Sequence, residues 1–172
     1  MRKRKIKSQR QKRFTCFVYR KKYETNTNFP IKKEICESAE FQKWLYHGID
    51  CKNCSEWAMI KQLEMNEIRW RKYPCVHMAF YSNLLCGKCK TVYQCPDVAI
   101  LYHERFDEFS IKRGKSDSYV IEYCPWCGKK LPKSKRAKWI NAIEKMGLEP
   151  GSRRIPKKYC SDKWYRQSSK SK

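Results

Sequence analysis

The residues best suited to chemistry in this sequence are its cysteines, eleven in a chain of 172 residues. Six of them form three pairs with two residues between the partners: Cys51/Cys54, Cys86/Cys89 and Cys124/Cys127. This spacing lets one tight turn aim both sulfurs at a tetrahedral ion, with Zn–S distances of about 2.3 Å. Redox-active pairs are the main alternative, but they usually lie beside a βαβ pattern, which this sequence lacks. Because no apolar segment follows the basic N-terminus, we interpret the pairs as zinc ligands in a reducing, cytoplasmic compartment.

Cys124 and Cys127 give the strongest metal prediction, and the Gly128 that follows suits the positive φ such a turn often needs. A closed structural site takes four ligands. The first choice for the other two is Cys86 and Cys89. Each C-x-x-C turn, called a knuckle below, would then donate two thiolates. A mixed set that draws on nearby residues stays open: Cys75, His77 and Cys95. A buried free cysteine is the simpler interpretation of Cys95.

Cys51 and Cys54 need partners of their own. Cys75 and His77 would complete a second zinc site, and Cys36 is another candidate. The sequence therefore predicts one zinc ion and allows two. The isolated residues Cys16 and Cys160 receive no role.

The elements that must position these ligands indicate an α+β fold. Three strand-like segments lie between the last two knuckles, at residues 98–102, 106–112 and 118–123. They predict a three-stranded antiparallel sheet of the zinc-ribbon type. Residues 14–23 also alternate loosely and predict a short strand, whereas residues 74–89 appear irregular.

Helices are predicted on both sides of the sheet. One spans residues 38–48 and ends at Gly48, and a second spans about 55–71. A third follows a Ser134 cap, with Trp139 on its core side. The predicted organisation is a basic arm (1–33), a helical segment with a C-x-x-C pair (34–73), a zinc-ribbon domain (74–150) and a basic, aromatic tail (151–172).

The net charge of +23 is concentrated at the two ends of the chain. Residues 1–33 hold 13 Lys/Arg and one Glu, and residues 129–172 hold 15 Lys/Arg and three acids. The centre, residues 34–128, holds 12 bases and 13 acids. Segregated positive charge is typical of proteins with a polyanionic partner, nucleic acid above all. No apolar run approaches the ~20 residues that span a bilayer, so no membrane partner is expected.

Two sets of basic residues are the candidate nucleic-acid contacts. The N-terminal set is Arg2, Lys3, Arg4, Lys5, Arg10, Lys12 and Arg13. The C-terminal set is Lys129, Lys130, Lys133, Lys135, Arg136, Arg153, Arg154, Lys157 and Lys158. Interleaved aromatics such as Trp164 suit either base stacking or packing under the sheet.

Catalysis receives little support from the sequence. The acidic cluster of Glu104, Asp107 and Glu108 falls on a predicted strand and its turn, where solvated strand charges are the simpler interpretation. No Gly-rich phosphate loop and no H-E-x-x-H motif occur. An open zinc position would be conceivable if His77 were a ligand and water the fourth. We therefore expect a protein that is not an enzyme.

From Pro74 to about residue 165 the chain resembles a family of small, mostly uncharacterised bacterial and phage zinc-ribbon proteins. The matching stretches are "CVHM" (75–78), "FDEF" (106–109), "YCPWCGKKLP" (123–132), "KSKRAKWINAIEKMGLEP" (133–150) and "IPKKYCSDKWY" (155–165). The resemblance implies that position 89 is a ligand and that Cys75, Cys95, Cys124 and Cys127 matter. It implies a fold and no reaction.

Taken together, these features favour a non-enzymatic zinc-ribbon protein that binds nucleic acid or a ribonucleoprotein, RNA rather than DNA. The alternatives are an adaptor or inhibitor that binds an acidic host protein or a nucleic-acid machine, and a zinc-dependent enzyme.

Overall fold

The computed structural model describes residues 16–27, 33–83, 85–86, 88–114 and 117–166. They form two compact units, one up to Arg69 and one from Trp70 onward. Among these described residues, no helix is long and apolar enough to cross a membrane. The predicted N-terminal nucleic-acid contacts, Arg2 to Arg13, lie outside the described residues.

The first unit is helical. Residues 16–21 are helical, and four further helices follow: α1 (Tyr23–Thr27), α2 (Lys33–Cys36), α3 (Ala39–Asp50) and α4 (Lys52–Met65). The Ser38 side chain caps α3 by accepting a hydrogen bond from the Phe41 amide. The second predicted helix is thus confirmed in α4, although it starts and ends several residues earlier than expected.

The prediction of a strand at residues 14–23 is wrong where the structure describes it. Tyr19 and Tyr23 are four residues apart and both are buried, which places them on one face of helical turns. Tyr19 stacks on Trp44 with ring centroids 5.0 Å apart, and Tyr23 meets Trp57 edge-on at 5.1 Å. This aromatic packing outweighs the weak alternation that suggested a strand.

Gly48 does not end α3 as predicted, because the helix continues to Asp50. A Cβ atom at Gly48 would lie 2.8 Å from the ring of Tyr19. The glycine therefore serves close packing of the helix against an aromatic ring.

The second unit contains α5 (Val76–Asn83), β1 (Ile100–His103), β2 (Glu108–Arg113), β3 (Asp117–Val120), α6 (Arg136–Glu144) and α7 (Lys163–Arg166). Short 3₁₀ turns cover Trp70–Lys72, Glu104–Phe106 and Lys157–Cys160. The strands form an antiparallel sheet in the order β1-β2-β3. Leu101 pairs with Ser110, and Ser110 with Val120. The mixed α+β class and the three-stranded sheet are confirmed.

The core of the second unit packs the sheet against α5. Met78, Ile100, Phe109 and Leu131 are buried in one cluster that also includes Cys124. The irregular structure predicted for residues 74–89 is wrong for α5, where Val76 to Ala79 are all buried. A helix that is apolar around most of its surface has no amphipathic pattern to recognise in a sequence. Trp139 is in the core as predicted, at 2% exposure.

Glu108 is not a solvated strand charge, which corrects the sequence interpretation. Its side chain is 1% exposed, and Arg136 binds both carboxylate oxygens, at 3.2 Å and 2.6 Å. Ser134 donates a further hydrogen bond at 2.6 Å. Burial alone would raise the pKa of Glu108, but the hydrogen bonds from Arg136 and Ser134 outweigh it and hold this pKa below its ordinary value. Asp107 is likewise engaged, by Tyr102 and Lys135.

Replacing Arg136 with alanine should lower the free energy of unfolding of the second unit by about 3 kcal/mol, because a buried carboxylate loses its partner. The depressed pKa of Glu108 means that this stabilisation is present above pH 4.5, its ordinary pKa, and is lost as the pH falls through the folded value. Urea unfolding from pH 3 to 7 should therefore show a smaller acid loss for Arg136→Ala than for the wild type. Lys138→Ala, an exposed change on the same helix, is the control; equal pH profiles for all three would contradict the prediction.

Candidate metal centres

Three groups of cysteine and histidine side chains bring their ligand atoms within 4.8 Å of one another. Together they use nine of the eleven cysteines and two of the three histidines. Each group is suited to a thiophilic ion, and we name it by its first residue: the Cys16 cluster, the Cys75 cluster and the Cys86 cluster.

The Cys16 cluster consists of Cys16, His47, Cys51 and Cys54 and lies wholly within the first unit. The sulfurs of Cys16 and Cys51 are 3.7 Å apart, and His47 Nε2 lies 3.3 Å from the sulfur of Cys54. In a tetrahedral zinc site, ligand atoms at Zn–S and Zn–N distances of about 2.3 Å and 2.0 Å are separated by roughly 3.5–3.8 Å. The four donors are therefore spaced for one zinc ion.

The helices of the first unit explain how these four residues meet. His47 lies in the last turn of α3, and Cys51 separates α3 from α4. The amides of Cys54 and Ser55 both donate to the carbonyl of Cys51, each at 2.9 Å, which turns the chain sharply at the pair. Burial raises the pKa of the Cys54 thiol to about 12, so an ion entering the cluster must displace its proton.

The Cys75 cluster consists of Cys75, His77, Cys124 and Cys127 in the second unit. Cys75 and His77 stand at the start of α5. Cys124 and Cys127 lie on a tight turn in which the Gly128 amide donates to the Cys124 carbonyl at 2.9 Å. Gly128 has φ +68°, as predicted for the residue that closes this turn.

The Cys75 cluster is largely shielded from water. Cys124 is 2% and His77 is 7% exposed. Trp126 stacks on Tyr81 at 3.8 Å and lies parallel to the His77 ring at 6.3 Å. Burial raises the pKa of the Cys75 thiol to about 12. Cys75 and Cys127 are half-buried. A set of three thiolates and one imidazole is typical of a structural zinc site.

The Cys86 cluster contains only three donors: Cys86, Cys89 and Cys95. The Cys86 amide donates to the sulfur of Cys95 at 3.3 Å, and this bond lowers the pKa of the Cys95 thiol. Cys95 is buried beside Val98 and Leu101, whereas Cys86 and Cys89 are half-buried.

The structure divides the predicted ligand sets differently from the sequence analysis. Cys86 and Cys89 do not join Cys124 and Cys127 in one site, because the two pairs belong to separate clusters. Cys51 and Cys54 likewise lie with Cys16 and His47, and not with Cys75 and His77. The alternates Cys75, His77 and Cys95 are all members of a cluster. Cys36, the other candidate partner, is in none.

Cys16 and His47 are the site residues that the sequence analysis missed. His47, Cys51 and Cys54 form an H-x3-C-x2-C pattern, which was a usable signal because four residues make about one helical turn. Cys16 offered no such signal, since it is 31 residues from its nearest partner in sequence, His47, and 35 residues from Cys51.

Replacing His47 with alanine should weaken the zinc affinity of the Cys16 cluster, because the cluster then has three protein donors and its ion should be the first that a chelator removes. The first unit should also melt at a lower temperature. Native mass spectrometry and thermal unfolding would measure both effects, with Cys36→Ser as the control because Cys36 is in no cluster. If His47→Ala kept its zinc as well as the wild type at every chelator concentration, His47 would not be a ligand.

Some of the C-terminal basic residues form salt bridges within the protein and others do not. Lys135 pairs with Asp107 and Arg136 with Glu108, so these two candidates serve the fold. The remaining predicted contacts are exposed and form no salt bridge with a described residue: Lys129, Lys130, Lys133, Arg153, Arg154, Lys157 and Lys158.

The aromatic residues of the C-terminal segment pack against the rest of the second unit. The Trp139 indole donates to the Tyr159 carbonyl, and the Trp164 indole donates to the Arg105 carbonyl, both at 2.8 Å. Tyr159 and Trp164 also stack with centroids 5.9 Å apart. These contacts attach the segment to α6 and to the 3₁₀ turn at Glu104–Phe106. Of the two roles considered for Trp164, base stacking and packing, they favour packing.

A cavity of about 600 Å³ opens beside residues 130–132, which follow the turn that carries Cys124 and Cys127. Tyrosine rings and cationic side chains dominate its wall, including Tyr73, Tyr102, Tyr165, Lys72 and Lys130. Asp107 also faces it and accepts a hydrogen bond from the Tyr102 hydroxyl at 3.1 Å. The volume lies within the range of small-ligand sites.

Comparison with known proteins identifies one family. No curated protein and no solved structure matches the chain. A family described as a domain of unknown function, DUF6980, matches residues 72–167. The match includes the Cys75 and Cys86 clusters, the sheet, α6 and the C-terminal segment. Over more than half of its length, the chain thus belongs to the DUF6980 family.

Proposed function

We propose that this chain is a zinc protein of zinc-ribbon type that binds nucleic acid, RNA in preference to DNA, through basic surfaces held in place by its metal clusters. The observation that carries the proposal is the set of seven exposed basic residues that form no salt bridge with a described residue, two of which directly follow a turn of the four-donor Cys75 cluster. Lys129 and Lys130 follow directly after Cys127 and Gly128. A rigid, zinc-held turn presents these ammonium groups without the entropy loss of ordering a loop.

The C-terminal segment extends this basic surface. Arg153, Arg154, Lys157 and Lys158 are exposed, while Tyr159 and Trp164 anchor the segment. Cationic side chains on an anchored backbone suit phosphate contacts, which supply most of the affinity of non-specific nucleic-acid binding.

The cavity of about 600 Å³ supports RNA, or another single strand, over a duplex. Tyr73 and Tyr165 line this cavity as candidate stacking surfaces for an unstacked base, whereas Tyr102 already stacks on Phe109 at 4.6 Å. Lys72 and Lys130 offer charge for the phosphate. Sequence-tolerant binding of single strands combines such stacking with a cationic groove. Photocrosslinking of a 4-thiouridine RNA should label one of these tyrosines.

Charge reversal at Arg153, Arg154, Lys157 and Lys158 tests the proposal directly. We expect the zinc-loaded full chain to lose roughly tenfold or more of its affinity for a fluorescent single-stranded RNA, because the reversal removes four phosphate contacts and adds repulsion. The matched control reverses four exposed bases of the neutral centre: Lys43, Lys52, Lys61 and Arg69. Equal losses in both variants would indicate a net-charge effect, and no loss in either would contradict this surface.

A further inference from the structure

The Cys86 cluster differs from the other two clusters in the number of its donors. The described residues include every Cys, His, Asp and Glu of the chain. Among them, no fourth such side chain brings its ligand atom within 4.8 Å of the others in this cluster. Zinc in proteins is usually bound by four ligands. A site to which the protein contributes three therefore leaves one coordination position for a ligand from solution.

The surroundings of the Cys86 cluster leave that position accessible. Cys95 is fully buried, but the chain that follows Cys89 is exposed at Lys90, Tyr93 and Gln94. The Cys75 cluster, by contrast, has Trp126 stacked parallel to its histidine. A ligand from solution therefore has a path to the Cys86 cluster.

Local charge and space favour an anionic, organic ligand. Lys88 and Lys90 flank Cys89, and the Lys112 ammonium donates to the Cys95 carbonyl at 2.8 Å. A cavity of about 750 Å³ is lined by both chain neighbours of Cys95, Gln94 and Pro96, and by Lys112. Three thiolates also make the bound ion prefer another soft ligand over a hard oxygen.

We propose that the Cys86 cluster holds a metal ion with one exchangeable position, which takes a small organic thiolate from solution. The thiol gives its proton to water, its sulfur bonds to the metal, and a bound water leaves. No electron is transferred. The proposal rests on the metal-binding part of the proposed function and adds a ligand-exchange site to it.

Cobalt(II) provides the test, because its visible d–d bands report the ligand set of each ion. The full chain should bind three cobalt ions per molecule, one per cluster. Adding 2-mercaptoethanol should shift the bands of one ion only, the third to load, since its site has one protein ligand fewer. The double variant Cys86→Ser/Cys89→Ser should bind two ions and show no thiol shift.

A second variant shows whether the method detects an open position. His77→Ala removes one donor from the Cys75 cluster, so two ions should then respond to the thiol. If the double variant fails to fold, stepwise cobalt loading of the wild type still decides the matter, because only the third equivalent should respond.

Several outcomes would overturn the inference. Two bound ions with no third would remove the site while leaving the proposed function intact, whereas no bound ion would defeat both. Three ions without a thiol shift would show a closed site. Asp97 lies two residues after Cys95 and is the nearest carboxylate to it in sequence. A shift that appears only after Asp97→Asn would show that the chain supplies the fourth ligand itself.

Discussion

Replacing Cys124 with serine is expected to unfold the second compact unit. Cys124 is 2% exposed, belongs to the four-donor Cys75 cluster and contacts the core that contains Met78 and Phe109. A structural zinc ion contributes about 10–16 kcal/mol of apparent free energy at neutral pH. The net stability of a whole domain is only about 5–15 kcal/mol, so the loss of one ion is enough to reverse the folding equilibrium.

Tryptophan fluorescence, far-UV circular dichroism and zinc content would measure this effect on the full chain. Saturating chelator should have the same consequence for the wild type. Cys160→Ser is the matched control, because Cys160 is exposed and lies in no cluster. A Cys124→Ser protein with wild-type zinc content and an unchanged unfolding curve would rule out the Cys75 cluster as a structural metal site.

The second large effect concerns salt. If the basic surfaces engage six to ten phosphates, the affinity for nucleic acid should fall by about 10³–10⁵ between 50 and 200 mM salt, because each contact releases a bound counterion. The net charge of +23 and its concentration in residues 1–33 and 129–172 make a steep slope the expected result.

Fluorescence anisotropy over a salt series would measure the slope for single-stranded RNA, duplex RNA and DNA of equal length. Deleting residues 1–13 should flatten the slope, and so should reversing the four C-terminal bases. If the deletion and the charge reversal act on one bound strand, their effects on the slope should add. A salt-independent affinity would point away from phosphate contacts and toward a protein partner.

The metal clusters show where sequence reasoning succeeds and where it ends. Cys124 and Cys127 could be paired from the sequence because two residues of spacing confine both sulfurs to one turn. Their partners, Cys75 and His77, are about fifty residues away and meet them only because α5 packs on the sheet core. The C-x-x-C spacing of Cys86 and Cys89 favours them as the partners of Cys124 and Cys127. That spacing carries no information about which segments of the chain pack together.

The charged residues also show that local sequence patterns do not reveal contacts between distant segments. The sequence assigned Lys135 and Arg136 to a nucleic-acid surface and Glu108 to solvent. Folding instead buries Glu108 and brings Arg136 to it from 28 residues away, so that the cost of removing a carboxylate from water is offset by a bidentate pair. Such long-range pairing leaves no local pattern in the sequence. The residues around Arg136 do not distinguish it from the other arginines as the partner of Glu108.

By itself, then, the sequence determined the ligand types, the three local cysteine pairs, the three-stranded sheet and the placement of positive charge at both ends. These are properties of short segments or of composition. The tertiary structure decided which donors lie in one cluster, that Cys16 and His47 are among them, and that the Cys86 cluster has three donors where the others have four. Those facts depend on contacts between distant segments, which only the packing of helices and sheet can bring about.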